Sequence, residues 1–227
     1  MKAKFIQKVM AGALAMTLVI APAVSVQATG NHGGAGSVSG NGIGTGGSSF
    51  SRTEEQVEEI TGVSIAEIPT TSSVAGVRTT VRGVYLATAV NGSVITTPLS
   101  TIAAGYALTA GETPYVRIYN MDVKKSPLAA AALNSVAQSV GATVGPYVNV
   151  ELGKMSSGKF GLLPADGAEI TVSFGIPASF AQSGKTFAVA CVRPGGAVSI
   201  LQDVDDNPNT VTFNTTGGQG AYAIIRY

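Results

Sequence analysis

Residues 168–227 read AEITVSFGIPASFAQSGKTFAVACVRPGGAVSILQDVDDNPNTVTFNTTGGQGAYAIIRY. Short apolar runs rich in β-branched residues alternate here with turn dipeptides, namely Gly195-Gly196, Asn207-Pro208 and Gly217-Gly218. Apolar runs bounded by Gly, Pro and Asn are typical of strands joined by tight turns. Consecutive short strands with short turns favour an antiparallel β-sandwich. The pattern predicts strands near 168–175, 186–192, 197–202, 209–214 and 221–226.

The chain upstream of this stretch continues the strand pattern. Alternating apolar and polar positions predict a strand over 77–89, with a bulge at Arg82-Gly83 where the alternation changes phase. Asn91-Gly92 is typical of two-residue hairpin loops, so it predicts a hairpin whose second strand is 93–97. Further strands are expected at 115–121 and 147–152.

One helix interrupts the strands, and it is predicted over 126–140. Ser126 is expected to be its N-cap, Pro127 occupies the first helical position, and Gly141 can end it. Because this helix is rich in alanine and carries little charge, we expect it to pack on a sheet. Its apolar side chains recur every four residues, at Leu128, Ala132, Val136 and Val140, with Leu133 and Ala137 beside them.

Together these elements predict a mainly β, α+β protein. The expected fold is an antiparallel β-sandwich-like domain with the packed alanine-rich helix on one side. The domain should span 68–227, either as one unit or divisible as 68–167 and 168–227.

The N-terminus is typical of a secretory signal peptide over 1–28. Lys2, Lys4 and Lys8 form a basic region, and an apolar run follows from Val9 to Val26. Val26-Gln27-Ala28 places small residues where a signal peptidase reads, so cleavage is expected after Ala28. The signal has a bacterial character, and it predicts a secreted or cell-surface protein.

Two segments separate the signal from the β domain. Residues 29–50 are rich in glycine and predict a flexible linker. Ser51 with Glu54 three positions later matches a capping box, which predicts a short helix at 52–61 within the segment 51–67.

Composition narrows the class of partner. Removing the three lysines of the signal leaves 11 basic against 13 acidic residues, a net charge of −2. This balance predicts no binding to nucleic acid or to an anionic membrane. The chain has no second apolar run long enough for a membrane span, so none is expected after cleavage.

Histidine and cysteine are too scarce for several familiar active sites. The only histidine, His32, lies in the glycine linker, where it cannot hold a nucleophile or a zinc ion in fixed geometry. The only cysteine, Cys191, stands in an apolar strand and is expected to be a buried thiol. No catalytic residue and no resident cofactor are therefore expected, apart from the alternatives below.

Two alternatives involve acidic residues. A glycoside hydrolase needs two facing carboxyl groups, and Glu151, Asp166 and Glu169 are candidates by residue type alone. A secreted carbohydrate-binding module is a related alternative.

A calcium-dependent extracellular module is the other alternative. Its ligands would be oxygens at alternating positions of one turn, as in calcium loops. Pro208 stands where such a loop needs glycine, and Asn214 stands where it needs a bidentate glutamate. The candidate ligands are Asp203, Asp205, Asn207 and Asn209.

The C-terminal third resembles a known class of module. A Thr-Val-x-Phe strand at 210–213 is followed by a closing strand with Tyr-Ala and aliphatic residues at 221–225. In this respect residues 168–227 are similar to β-sandwich modules near the ends of large bacterial surface and adhesin-like proteins. The resemblance implies extracellular scaffolding or adhesion and brings no catalytic residues.

The sequence thus predicts an exported, non-enzymatic module for binding, adhesion or structural assembly. Its partner would be a protein or a glycan at the cell surface. The oligomeric state is left open by the sequence.

Overall fold

The structure is a computed structural model, and it describes residues 72–227. The predicted signal peptide 1–28 with its cleavage site at Ala28, the linker 29–50 and the helix 52–61 lie outside the described residues. Within 72–227 the fold is mainly β with two helices, which confirms the predicted fold class.

The helices are α1 (Leu99–Gly105) and α2 (Pro127–Ser139). The strands are β1 (Ser73–Val74), β2 (Val77–Arg78), β3 (Arg82–Leu86), β4 (Ser93–Ile95), β5 (Glu112–Asn120), β6 (Thr143–Ser156), β7 (Lys159–Leu162), β8 (Ile170–Gly175), β9 (Phe187–Val192), β10 (Val198–Gln202), β11 (Thr210–Thr215) and β12 (Gly218–Arg226).

Two sheets pack face to face, and α2 covers the outer face of the larger one. The larger sheet has the order β10-β9-β12-β6-β5-β3, with β7 also paired to β6. The smaller sheet has the order β11-β8-β4, and β1 and β2 form a separate short ribbon. Every pair is antiparallel except β3 with β5, which is parallel.

The middle strands β9 and β12 are buried on both faces. In β9, Val189 and Cys191 belong to the core between the sheets, whereas Ala188, Ala190 and Val192 belong to the core under α2. Because side chains alternate along a strand, a strand buried on both faces appears as a continuous apolar run. The small residues lie on the helix side, where they let α2 approach the sheet closely.

Helix α2 packs on the sheet as predicted, with Leu133 and Ala137 buried and Ala132 and Val136 partly buried, but the two ends of the predicted row, Leu128 and Val140, are exposed. Ala130, Leu133 and Ala137 are its buried residues, whereas Leu128 is 85% exposed. A row of residues spaced every four positions drifts around a helix with 3.6 residues per turn, so it cannot stay on one contact line. Gly141, with φ of +71°, ends the helix as expected.

Ser126 is the N-cap residue and Pro127 begins the helix, as predicted, but the Ser126 hydroxyl makes no capping hydrogen bond. The preceding turn holds the helix start instead. The Ser126 N–H donates to the carbonyl of Asp122 at 2.9 Å, and the Ser126 carbonyl accepts from Ala130.

The predicted hairpin at Asn91-Gly92 is wrong. Strand β3 pairs with β5, and β4 crosses to the smaller sheet, where it pairs with β8. The Asn91 N–H donates to the Gly175 carbonyl at 2.8 Å, and the Gly175 N–H donates to Gly92. An Asn-Gly pair sets the local turn geometry, but it does not determine which strand the following residues will join.

The predicted strand 77–89 with a bulge is also wrong, because two separate strands occupy it. Strand β2 pairs with β1, and β3 begins at Arg82 in the larger sheet. The glycine at 83 lies where β3 meets β5: a Cβ on Gly83 would come 2.1 Å from the Val116 carbonyl oxygen. The phase change in the sequence marks a change of sheet.

The remaining strands agree with their predicted positions within a few residues, although β6 is longer than expected. Helix α1 and strand β7 were not predicted. Both elements are short and are stabilised by contacts with other parts of the fold. Tyr106, directly after α1, donates its hydroxyl to the Ala168 carbonyl at 2.6 Å, and Phe160 of β7 packs over Gly153.

The close approach at Gly83 predicts a large effect of Gly83→Ala. The added methyl group must displace the backbone of β5, so we expect a loss of about 2–3 kcal/mol in the free energy of unfolding. Urea denaturation measures it. The matched control is Gly161→Ala, where a Cβ meets nothing within 4 Å. Equal stability of the two variants would contradict the packing at β3.

Candidate functional site

The four predicted calcium ligands lie together in the loop between β10 and β11. The side-chain oxygens of Asp203, Asp205 and Asn207 accept hydrogen bonds from the backbone of the loop itself. Asp203 Oδ1 accepts from the Asp205 N–H at 3.3 Å, and Asp205 Oδ1 accepts from the Asn207 N–H at 2.9 Å. Asn207 Oδ1 accepts from the Asn209 N–H at 3.1 Å. The alternating pattern is thus a series of three Asx turns, in which the side chains of Asp203, Asp205 and Asn207 each satisfy a donor two residues ahead.

Asp203 also covers the outer edge of β11. Its Oδ1 accepts from the Thr212 N–H at 2.9 Å, and the Val204 N–H donates to the Thr212 carbonyl at 2.7 Å. Burial raises the pKa of Asp203, while the hydrogen bond from Thr212 opposes that rise. The loop therefore has a structural task that explains its composition without an ion.

Within 72–227, no group of three His, Cys, Asp or Glu side chains converges as a metal site. Amide and backbone oxygens would have to complete a calcium site in the loop. Calcium binding stays a prediction.

The three candidate carboxylates have different partners. Glu151 is buried in β6 and accepts from the Tyr119 hydroxyl at 2.7 Å. Glu169 is exposed and accepts from Asn214, and Asp166 is exposed in the turn before β8. The structure does not bring these three carboxyl groups into contact with one another.

Glu151 belongs to a buried cluster that residue type alone did not reveal. Arg117, which is fully buried, lies opposite Glu151 in the β5–β6 register, and its Nη1 is 3.8 Å from Glu151 Oε2. The Phe160 ring lies against the Arg117 guanidinium, 3.9 Å from ring centroid to Cζ. Such a cation–π contact and a hydroxyl hydrogen bond help to offset the loss of water around buried charges.

A second polar cluster closes one end of the sandwich. Arg193 donates to the Gly217 carbonyl at 2.6 Å and to Thr215 Oγ1 at 2.7 Å. The Gly217 N–H donates to the Tyr106 hydroxyl at 2.7 Å. These bonds fix the short connection from β11 to β12, where the chain passes from the smaller sheet to the larger one.

Cys191 is buried beside this end of the sandwich, as predicted. Burial is the main cause that raises its pKa, so the reactive thiolate is disfavoured.

A cavity of about 10 Å³ is lined by apolar side chains, among them Val81, Ile95 and Leu163. It is no larger than one water molecule requires, and no carboxylate lines it. The described residues therefore offer the hydrolase hypothesis no cleft at this position.

The edges of the sheets differ in how their backbone groups are satisfied. At β4, the Thr80 N–H donates to the Ile95 carbonyl at 2.9 Å, and the Ile95 N–H donates to Thr79 Oγ1 at 3.1 Å. Strand β11 is covered by Asp203, as described above. Strand β3 carries the exposed charge of Arg82. Strand β10 has neither a charge nor a capping side chain among the described residues, and it is the candidate site of interaction.

Comparisons with protein-family models, with curated proteins and with solved structures found no match to this chain. Neither helix in 72–227 is long and apolar enough to cross a membrane.

The role of Asp203 predicts that Asp203→Ala destabilises the fold by about 1–3 kcal/mol, because the Thr212 N–H loses its acceptor. Thermal unfolding measures the loss, with the exposed Asp206→Ala as the control.

The calcium hypothesis adds that millimolar Ca²⁺ raises the melting temperature of the wild type but not of Asp203→Ala. No rise in the wild type contradicts the calcium site.

The buried cluster predicts a loss of about 3–5 kcal/mol for Glu151→Leu, because the Arg117 charge stays buried without its carboxylate. The double variant Arg117→Met with Glu151→Leu should recover part of this loss. Urea unfolding of the wild type, the two single variants Arg117→Met and Glu151→Leu, and the double variant measures the coupling, and strictly additive effects would contradict it.

The control for this pair is Glu112→Gln in the same two strands. Glu112 pairs with Lys154 near the surface, and that hydrogen bond lowers the pKa of Glu112 to about 2. Its stabilisation should be small, present above pH 4.5, and lost as the pH falls towards 2.

Proposed function

We propose that this chain is an exported, non-enzymatic bacterial module that binds a surface partner or builds an assembly. The observation that carries the proposal is that the conspicuous polar side chains of 72–227 already serve the fold. Asp203 covers a strand edge, Glu151 pairs with Arg117, and Arg193 closes the sandwich end. What is left for recognition is the outer surface.

Two features of the sequence support the export half of the proposal. The signal peptide pattern at 1–28 directs a protein out of the cytoplasm. The similarity of 168–227 to modules of surface and adhesin-like proteins fits an extracellular setting. The partner would be a protein or a glycan of the cell surface.

Export is tested by expressing the full chain in a bacterium and fractionating the culture. The proposal expects a mature protein that begins at Thr29 in the medium or on the cell surface. N-terminal sequencing identifies the start. A matched Ala28→Tyr variant should be processed much less, because a bulky residue replaces the small one at the cleavage site. An uncleaved chain that stays in the cytoplasm would overturn the export proposal.

Binding is tested with the exported protein labelled on surface lysines. Saturable retention on intact bacterial cells, competed by unlabelled protein, is the expected result. Release of soluble sugar from cell-wall or plant polysaccharide by the purified protein would instead support the hydrolase and overturn the non-enzymatic assignment. Fractions from a culture that lacks the gene provide the control.

A further inference from the structure

The backbone groups of β10 can be assigned to its two sides. The Arg193 N–H donates to the Ala197 carbonyl at 2.9 Å, next to the turn that joins β9 and β10. In an antiparallel pair the bonded residues alternate. Ser199 and Leu201 therefore bond to β9, opposite Cys191 and Val189. The N–H and C=O groups of Val198, Ile200 and Gln202 point away from β9, towards the outside of the sheet.

The composition of β10 leaves this edge suited to pairing. The strand is VSILQ, with no charge and no proline, and Val198 is 38% exposed. Charged residues, prolines and covering side chains are the usual means that keep an edge strand from pairing. Asp203 and Thr79 provide such cover at β11 and β4, whereas no described residue provides it at the outer side of β10.

We propose that β10 is the interface for a second copy of this chain, joined by antiparallel pairing about a two-fold axis at Ile200. Ile200 then lies opposite Ile200 of the second copy, and Val198 lies opposite Gln202 of the second copy. All three are residues whose backbone groups point outwards, so the register forms about six hydrogen bonds. A shift of one residue would place Ser199 or Leu201, whose backbone groups already bond to β9, opposite the outward-facing residues of the second copy.

Charge selects the antiparallel arrangement. Gln202 is followed at once by Asp203, and Asp205 and Asp206 lie in the same loop. Parallel pairing would place the acidic loops of the two copies side by side, where like charges repel. Antiparallel pairing places them at opposite ends, each beside the uncharged Gly195-Gly196 turn of the other copy.

The assembly is a two-fold dimer with one continuous sheet. The axis is perpendicular to the sheet, so both α2 helices lie on one face and both smaller sheets lie on the other. Such an interface is self-complementary, as two-fold contacts must be. Because a five-residue edge buries less area than a standard interface, the dimer should dissociate in the micromolar range or above.

This inference rests on the proposed function and deepens it, since it names the surface and the partner of the assembly role. The two fail separately. A monomeric protein that is exported and binds cells leaves the proposed function intact and overturns the dimer.

Sedimentation equilibrium of the purified exported protein over about 10–500 µM measures the dimer. The expected result is a concentration-dependent dimer that Val198→Lys weakens at least about tenfold, because two lysines flank the new pairing. The control is Val204→Lys, which changes a 56% exposed valine outside β10 and should leave the dissociation constant of the dimer unchanged. A monomer throughout, or equal weakening by both variants, overturns the proposal.

A cross-link tests the register. In a bonded antiparallel pair the two Cα atoms lie about 5.5 Å apart, which suits a disulfide. Ile200→Cys should therefore give a covalent dimer on mild oxidation, whereas Val204→Cys should give much less. Thermal melting confirms that both variants are folded. Equal cross-linking of the two folded variants overturns the two-fold register at Ile200.

Discussion

The double burial of β9 and β12 is the constraint on which the rest of the structure depends. Strand β9 and residues 221–225 of β12 are continuous apolar runs, so each needs cover on two sides. The smaller sheet covers one side, where Phe213 packs against Tyr222, with ring centroids 5.8 Å apart. Helix α2 covers the other, where Ala190 and Ala223 leave room for its backbone. The three layers follow from this requirement.

The polar side chains of the domain mostly form hydrogen bonds with the backbone of its sheet edges and irregular connections. A sandwich of two sheets has open edges, and the connections that pass between the sheets leave N–H and C=O groups without strand partners. Asp203 and Thr79 supply acceptors at two edges, and Arg193 donates to the connection between β11 and β12. Residues that looked like candidates for chemistry are therefore part of the fold.

Because the polar groups of the interior are used by the fold, the outer surface is the part of the domain that is available for interaction. The cavity under α1 is apolar and holds at most one water molecule, and the buried Arg117–Glu151 pair lies within the sheet. At β10 the backbone of Val198, Ile200 and Gln202 faces outwards without cover from the described residues. A protein built in this way can interact through strand pairing, which uses backbone groups and needs no specialised side chains.

The sequence by itself determined the β class, most strand positions and the extent of α2, because periodicity and turn residues are local signals. It also placed Asp203 and its neighbours in one loop. Only the tertiary structure decided that β3 pairs with β5 rather than β4, that Ala130 and Leu133 face the sheet, and that Arg117 meets Glu151. These depend on contacts between distant segments, and local propensity is the same for several such pairings.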